Sequence, residues 1–133
     1  MADEARAMRI LIVDDSSTSR MITRRCIETA SAVPVEFAEA PDGAEALSLL
    51  EADSFDLIVT DLNMPKMDGT TFVWKVRMAR ELADTPIIVL SSLKNERTAS
   101  ALAALGVKDL IQKPISPAKI AGHLDTIGGA ANG

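Results

Sequence analysis

Short runs of consecutive apolar residues recur along this chain, and each leads into polar residues. Ile10 to Val13 runs into Asp14-Asp15, Leu57 to Thr60 into Asp61, Ile87 to Leu90 into Ser91, and Leu110-Ile111 precedes Lys113-Pro114. A run that is apolar at successive positions has no polar face, which suits a parallel strand covered by helices on both sides. Val33 to Ala38 carries a proline and a glutamate, as an edge strand does. Between the runs the spacing turns helical. Ser16, Ser17 and Thr18 offer N-caps to a first helix striped by Ile22, Cys26 and Ala30. Asp42-Gly43 precedes a second with Leu47 and Leu50, and Asp68-Gly69 a third with Phe72, Val76 and Ala79. Asn95 precedes a fourth with Ala99, Leu102 and Leu105, and Ser116-Pro117 opens a fifth with Ile120, Leu124 and Ile127. Five alternations of strand and helix predict an α/β fold with a parallel sheet and right-handed crossovers.

Composition narrows the function. At 133 residues the chain reads as one domain that needs no disulfide or structural metal. The single cysteine, Cys26, excludes an intrachain disulfide and a multi-cysteine metal cage, and points to a reducing compartment, so the expected location is the cytoplasm. No apolar stretch is long enough to span a bilayer, and the first residues lack a signal-peptide layout, so no membrane partner is expected. A net charge of -5 argues against a nucleic-acid partner. The predicted domain runs from residue 8 to 127, with 1–7 and 128–133 as flexible termini.

In open α/β sheets, ligands bind beyond the carboxyl ends of the strands, which is where the polar residues fall. Asp14, Asp15 and Asp61 would crowd together there, and like charges need a proton, a lysine or a metal between them. An all-oxygen donor set favours a hard cation, Mg2+ or Mn2+. Lys113 offers an ammonium for a phosphoryl oxygen and Ser91 a hydroxyl donor. Asp61 stands alone at its strand end, whereas the doublet suits the metal, so Asp61 is the expected nucleophile of a phosphoryl transfer.

These motifs together, the doublet in Val13-Asp14-Asp15-Ser16, the segment from Val59 to Gly69, the Ser91-Ser92 pair and Lys113-Pro114, resemble the response-regulator receiver domains in their stand-alone, CheY-like form. The resemblance covers about residue 8 to residue 127. It implies a five-stranded, doubly wound, flavodoxin-like sheet in strand order 2-1-3-4-5 with five helices. It also implies that Asp61 is the phosphoacceptor, that Asp15, Asp61 and the backbone carbonyl of Asn63 bind Mg2+ directly, and that Asp14 acts through a bound water. Lys113 would bridge to the phosphoryl group, Ser91 would turn inward after transfer, and the Lys113-Pro114 peptide would be cis. The implied donor is a sensor histidine kinase or a histidine phosphotransfer protein. The implied output is a protein target at the face of the fourth helix, fifth strand and fifth helix, from a monomer or a phosphorylation-dependent dimer. A chemotaxis-type messenger and a phosphorelay intermediate fit equally. In many receivers the position three before the lysine is aromatic; here it is Leu110, which leaves the usual coupling between hydroxyl and ring without its ring.

The same residues have plainer readings. Asp14 to Ser17 could simply cap a helix, Asp61 could be a turn residue, and Lys113 a solvated lysine. Joint occurrence at one sheet edge weighs against all three. His123 reads as a helix-surface residue, Trp74 as packing, and Met64, Met67 and Met78 as gap fillers. Lys94, Arg97, Lys108 and Lys119 cluster around the fourth and fifth helices. Two other functions compete: an aspartyl-nucleophile phosphohydrolase, which would want an acid where Asn63 stands, and a phosphorylation-independent adaptor. The expectation is not a turnover enzyme.

Overall fold

The structure, a computed structural model, describes residues 7–132, with side chains described to Ile127. The strands are β1 (Met8–Val13), β2 (Val35–Ala40), β3 (Leu57–Asp61), β4 (Ile87–Ser91) and β5 (Asp109–Gln112). They alternate with α1 (Ser17–Ala30), α2 (Gly43–Ala52), α3 (Gly69–Met78), α4 (Glu96–Ala104) and α5 (Pro117–Asn132), and a 3-10 turn (Arg80–Leu82) follows α3. All pairings are parallel and the order is β2-β1-β3-β4-β5, as the resemblance implied. Among the described residues no helix is long and apolar enough to cross a membrane.

Strand periodicity divides the core into two layers. Leu11, Val13, Ile58, Ile87, Val89 and Leu110 face α2, α3 and α4, where Leu50, Phe72, Val76 and Leu102 meet them. The alternate residues Ile10, Ile12, Leu57, Val59, Ile88, Leu90 and Ile111 face α1 and α5, against Ile27, Ile120, Leu124 and Ile127. Each full burial of such a side chain contributes about 1.5–3 kcal/mol. The helix starts are capped as the sequence suggested: Ser16, Asp42, Asp68 and Asn95 accept backbone N–H bonds from the first turns of α1 to α4.

Several details of helix register differ from the sequence reading. In α1 the buried positions are Thr23 and Ile27, and Ile22 is 48% exposed. The sheet-facing line runs one residue beyond the expected stripe, because the i+4 steps from Ile22 drift around a helix of about 3.6 residues per turn. Trp74 and Met78, expected to pack, are 51% and 65% exposed. Because α3 buries Phe72, Val73 and Val76, positions 74 and 78 fall one above the other on its outer face. Met64 is buried and Met67 packs against the core, as gap fillers should. The backbone of α5 runs to Asn132, past the predicted domain end at residue 127. Gly133 and residues 1–6 lie outside the described residues.

One glycine ties the fold to the sheet edge. The Gly69 N–H donates to the Leu62 carbonyl at 2.7 Å, closing the loop after β3 onto the start of α3. A Cβ at Gly69 would sit 2.6 Å from the Asp61 carbonyl oxygen and 2.7 Å from the Leu62 Cα, both backbone atoms that cannot swing aside. Gly69→Ala is therefore expected to lower unfolding free energy by about 1–3 kcal/mol, the usual cost of overpacking, read as a lower urea midpoint with unchanged slope.

Candidate functional site

Sheet register brings the site together. Val13, Thr60, Val89 and Leu110 lie in one row across the sheet, so Asp14 and Asp61 stand side by side just past it. Asp14 and Asp61 continue the parity of Ile12 and Val59, and Lys113 that of Ile111, which turns all three toward the α1 and α5 side. The Lys113 ammonium lies 3.3 Å from Asp61 Oδ1 and 3.5 Å from Asp14 Oδ2. Asp14 and Asp61 are buried, Asp15 is exposed, and one oxygen from each of the three carboxylates falls within 4.8 Å of the others.

Asp14 is held on every side. Its Oδ1 accepts the Ser16 N–H at 2.9 Å, its Oδ2 accepts the Ser19 hydroxyl at 2.6 Å, and its carbonyl accepts the Arg20 guanidinium at 2.6 Å. Asp61 has fewer partners. Burial pushes its carboxyl above the ordinary value, the neighbouring Asp14 charge adds to that, and Lys113 and the Asn63 backbone N–H pull the other way. The net result is a buried acid with elevated proton affinity beside a cation, a combination common where a carboxylate reacts.

The donor set fits a hard divalent cation. Its members are all oxygens, and on Mg2+, with bonds of about 2.0–2.1 Å, adjacent carboxylate oxygens sit about 3 Å apart and opposite ones about 4.2 Å, so small movements close the observed spread. Both Asp14 oxygens already accept hydrogen bonds, so Asp61, with Lys113 beside one of its oxygens, and exposed Asp15 are the carboxylates with capacity left for a cation. Exposed Asn63 adjoins them through its backbone.

Ser91 rests in a turn of its own loop. It is the last residue of β4 and is buried, but its parity follows Val89, toward α3 and α4. Its hydroxyl donates to the Leu93 carbonyl at 2.6 Å and accepts the Leu93 N–H at 3.3 Å, closing a turn in its own loop. The Lys113-Pro114 peptide is cis, as expected. Leu110 is 5% exposed and floors a cavity of about 260 Å3 between α4 and β5, rimmed by Lys94 and Lys108. The four basic residues near this face, Lys94, Arg97, Lys108 and Lys119, are all exposed, and Lys119 also donates to the Gln112 and Pro114 carbonyls. His123 is half-buried and bonds Asp109 at 3.0 Å, tying α5 to β5.

Two residues at the site escaped the sequence reading. Ser19 bonds Asp14 and Lys113, and Arg20 bridges the Asp14 carbonyl to Glu39 on β2. The signal was the density of hydroxyls from Ser16 to Ser19, which reads as capping alone until helix phase is considered.

Comparison with known proteins agrees with this geometry. Residues 10–125 match the family model of the response regulator receiver domain. A segment of sensor histidine kinase TmoS from Ectopseudomonas mendocina is 44% identical over 108 residues, 81% of this chain but 11% of that protein. Chemotaxis protein CheY-3 of Vibrio cholerae is 35% identical over 120 residues, 90% of this chain and 91% of that one. The solved structure of chemotaxis response regulator CheY4 of Vibrio cholerae superposes with a TM-score of 0.80 at 31% identity, covering 92% of this chain and 99% of that one. The Mn2+-bound form of response regulator Rcp1 superposes at 0.72 with 25% identity, covering 90% and 91%.

Proposed function

Because the chain belongs to the response regulator receiver domain family, we propose that Asp61 accepts a phosphoryl group from a phosphohistidine, on a histidine kinase or a histidine phosphotransfer protein. One Asp61 carboxylate oxygen attacks phosphorus in line with the leaving imidazole nitrogen; the P–N bond breaks as the acyl phosphate P–O bond forms. Lys113, already 3.3 Å from Asp61, takes a phosphoryl oxygen as its partner. Asp15, Asp61 and the Asn63 carbonyl would hold Mg2+ or Mn2+, with Asp14 as an outer partner, and the ion when bound would supply positive charge to neutralise the site. The observation that carries this reading is the buried Asp61 set beside both Lys113 and the doublet, on the face where a ligand can enter.

Transfer then alters the region from Ser91 to Ile115. Ser91 must leave its turn with Leu93 to reach the phosphoryl group, which moves the loop that carries Lys94 into α4. The output face proposed is that of α4, β5 and α5, read by a protein target. Likeness to the whole of CheY-3 favours a chemotaxis-type messenger; likeness to a segment of a much longer kinase favours a relay module.

The test is incubation with a small acyl phosphate donor and Mg2+. The expected product carries at most one phosphoryl group per chain, stable in acid and labile in alkali, and chelation of the metal prevents its formation. Metal-independent labelling, or steady turnover of phosphate esters, would contradict the reading.

A further inference from the structure

Lys113 is surrounded by three oxygens. Its ammonium lies 3.3 Å from Asp61 Oδ1, 3.5 Å from Asp14 Oδ2 and 3.4 Å from the Ser19 hydroxyl. An ammonium has three donors, so one N–H is available to each. The third oxygen is unlike the other two: it is neutral, it sits on α1 instead of at a strand end, and it touches Asp14 as well as Lys113. The Ser19 hydroxyl spends its single hydrogen on Asp14 Oδ2, in the shortest contact of the group at 2.6 Å, and has lone pairs left for Lys113.

This arrangement sets the balance between two carboxylates that compete for one lysine. Asp14 Oδ2 already has a short, charge-assisted donor in Ser19, so it holds Lys113 only at the long end of hydrogen-bond range. Without that hydroxyl, the oxygen is a buried acceptor with one bond lost, and the nearest replacement donor is the ammonium. Lys113 would close on Asp14 and withdraw from Asp61. The backbone of Ser19 is fixed as well, since its N–H donates to the Ser16 cap at 3.1 Å. We propose that Ser19 is a positioning residue that occupies Asp14 and so keeps the Lys113 ammonium on Asp61, where the phosphoryl group arrives. The proposal rests on the receiver reading of the site.

The neighbouring hydroxyls make the control. Thr18 and Ser19 line the same groove of about 480 Å3 beside Lys113 and Pro114, yet Thr18 is exposed and makes no bond to Asp14 or Lys113.

The experiment compares wild type with Ser19→Ala, Ser19→Thr and Thr18→Ala. In the metal-free protein, the side-chain Nζ resonance of Lys113 is followed by NMR; in the Mg2+-bound protein, metal affinity by calorimetry and phosphorylation rate by a small acyl phosphate donor. Expected for Ser19→Ala are a displaced Lys113 resonance and phosphorylation slowed about tenfold at saturating Mg2+, with metal affinity within about twofold of wild type. Ser19→Thr, which retains the hydroxyl, is expected to restore both, and Thr18→Ala to change neither. An unmoved Lys113 resonance, an unchanged rate, or a slow rate that threonine fails to rescue overturns the proposal. Failure of wild type to take any phosphoryl group would instead defeat the reading beneath it, and the metal-free resonance separates the two cases.

Discussion

Asp61→Asn is expected to take up no phosphoryl group at the site while becoming more stable without metal. The first effect follows from chemistry: an amide oxygen is a poor nucleophile, Asp14, though 3.5 Å from Lys113, has both oxygens engaged by other donors, and Asp15 is exposed. The second follows from the elevated proton affinity of Asp61, caused first by burial. For a carboxyl whose pKa is raised on folding, the favourable contribution is fully present below its unfolded pKa and is lost as pH rises through its folded value. At neutral pH the ionised Asp61 is therefore a cost, and the neutral amide removes it. Metal-free Asp61→Asn is expected to melt above wild type at neutral pH, with the advantage shrinking as pH falls toward the ordinary carboxylate range. Equal melting temperatures throughout would mean that Asp61 is not destabilised by its surroundings.

Lys113→Ala is expected to move two quantities in opposite directions. Phosphorylation should slow by about 10²–10³-fold, the usual cost of deleting one preorganised donor to developing charge. Mg2+ affinity should rise by several-fold or more, because the ammonium competes with the ion for Asp14 and Asp61, and a unit charge at about 4 Å contributes about 1 kcal/mol in water and about 4 at a protein surface. A structural lysine would lower both together. Measuring the rate at saturating metal, with affinity determined separately, tells the two apart.

Most of this site was legible in the sequence because its parts lie at the ends of apolar runs, and strand ends are fixed by the runs themselves. Asp14, Asp61 and Lys113 come together through alternation and register alone, which a two-residue period conveys well. Helix phase conveyed less. A one-residue error left Ile22 on the wrong side of α1 and hid Ser19, whose value depends on the turn of helix that carries it over Asp14. Ser91 was legible as a residue but not as a conformer, since a serine at a strand end can bond its own loop or a ligand, and only coordinates distinguish the two. Leu110 is a related case. The side chain lines the α4–β5 cavity and has no polar tip, so under the proposed switch the loop from Ser91 through Leu93 to the Asn95 cap would be the covalent route from site to face.

The central claim is that Asp61 itself carries the phosphoryl group. Borohydride reduces an aspartyl phosphate to homoserine, and peptide mass spectrometry then locates the altered residue. After phosphorylation in Mg2+, the expected result is homoserine at position 61 alone, absent when the metal is chelated; homoserine at Asp14 or Asp15, or a phosphoryl group on any other side chain, would contradict the account.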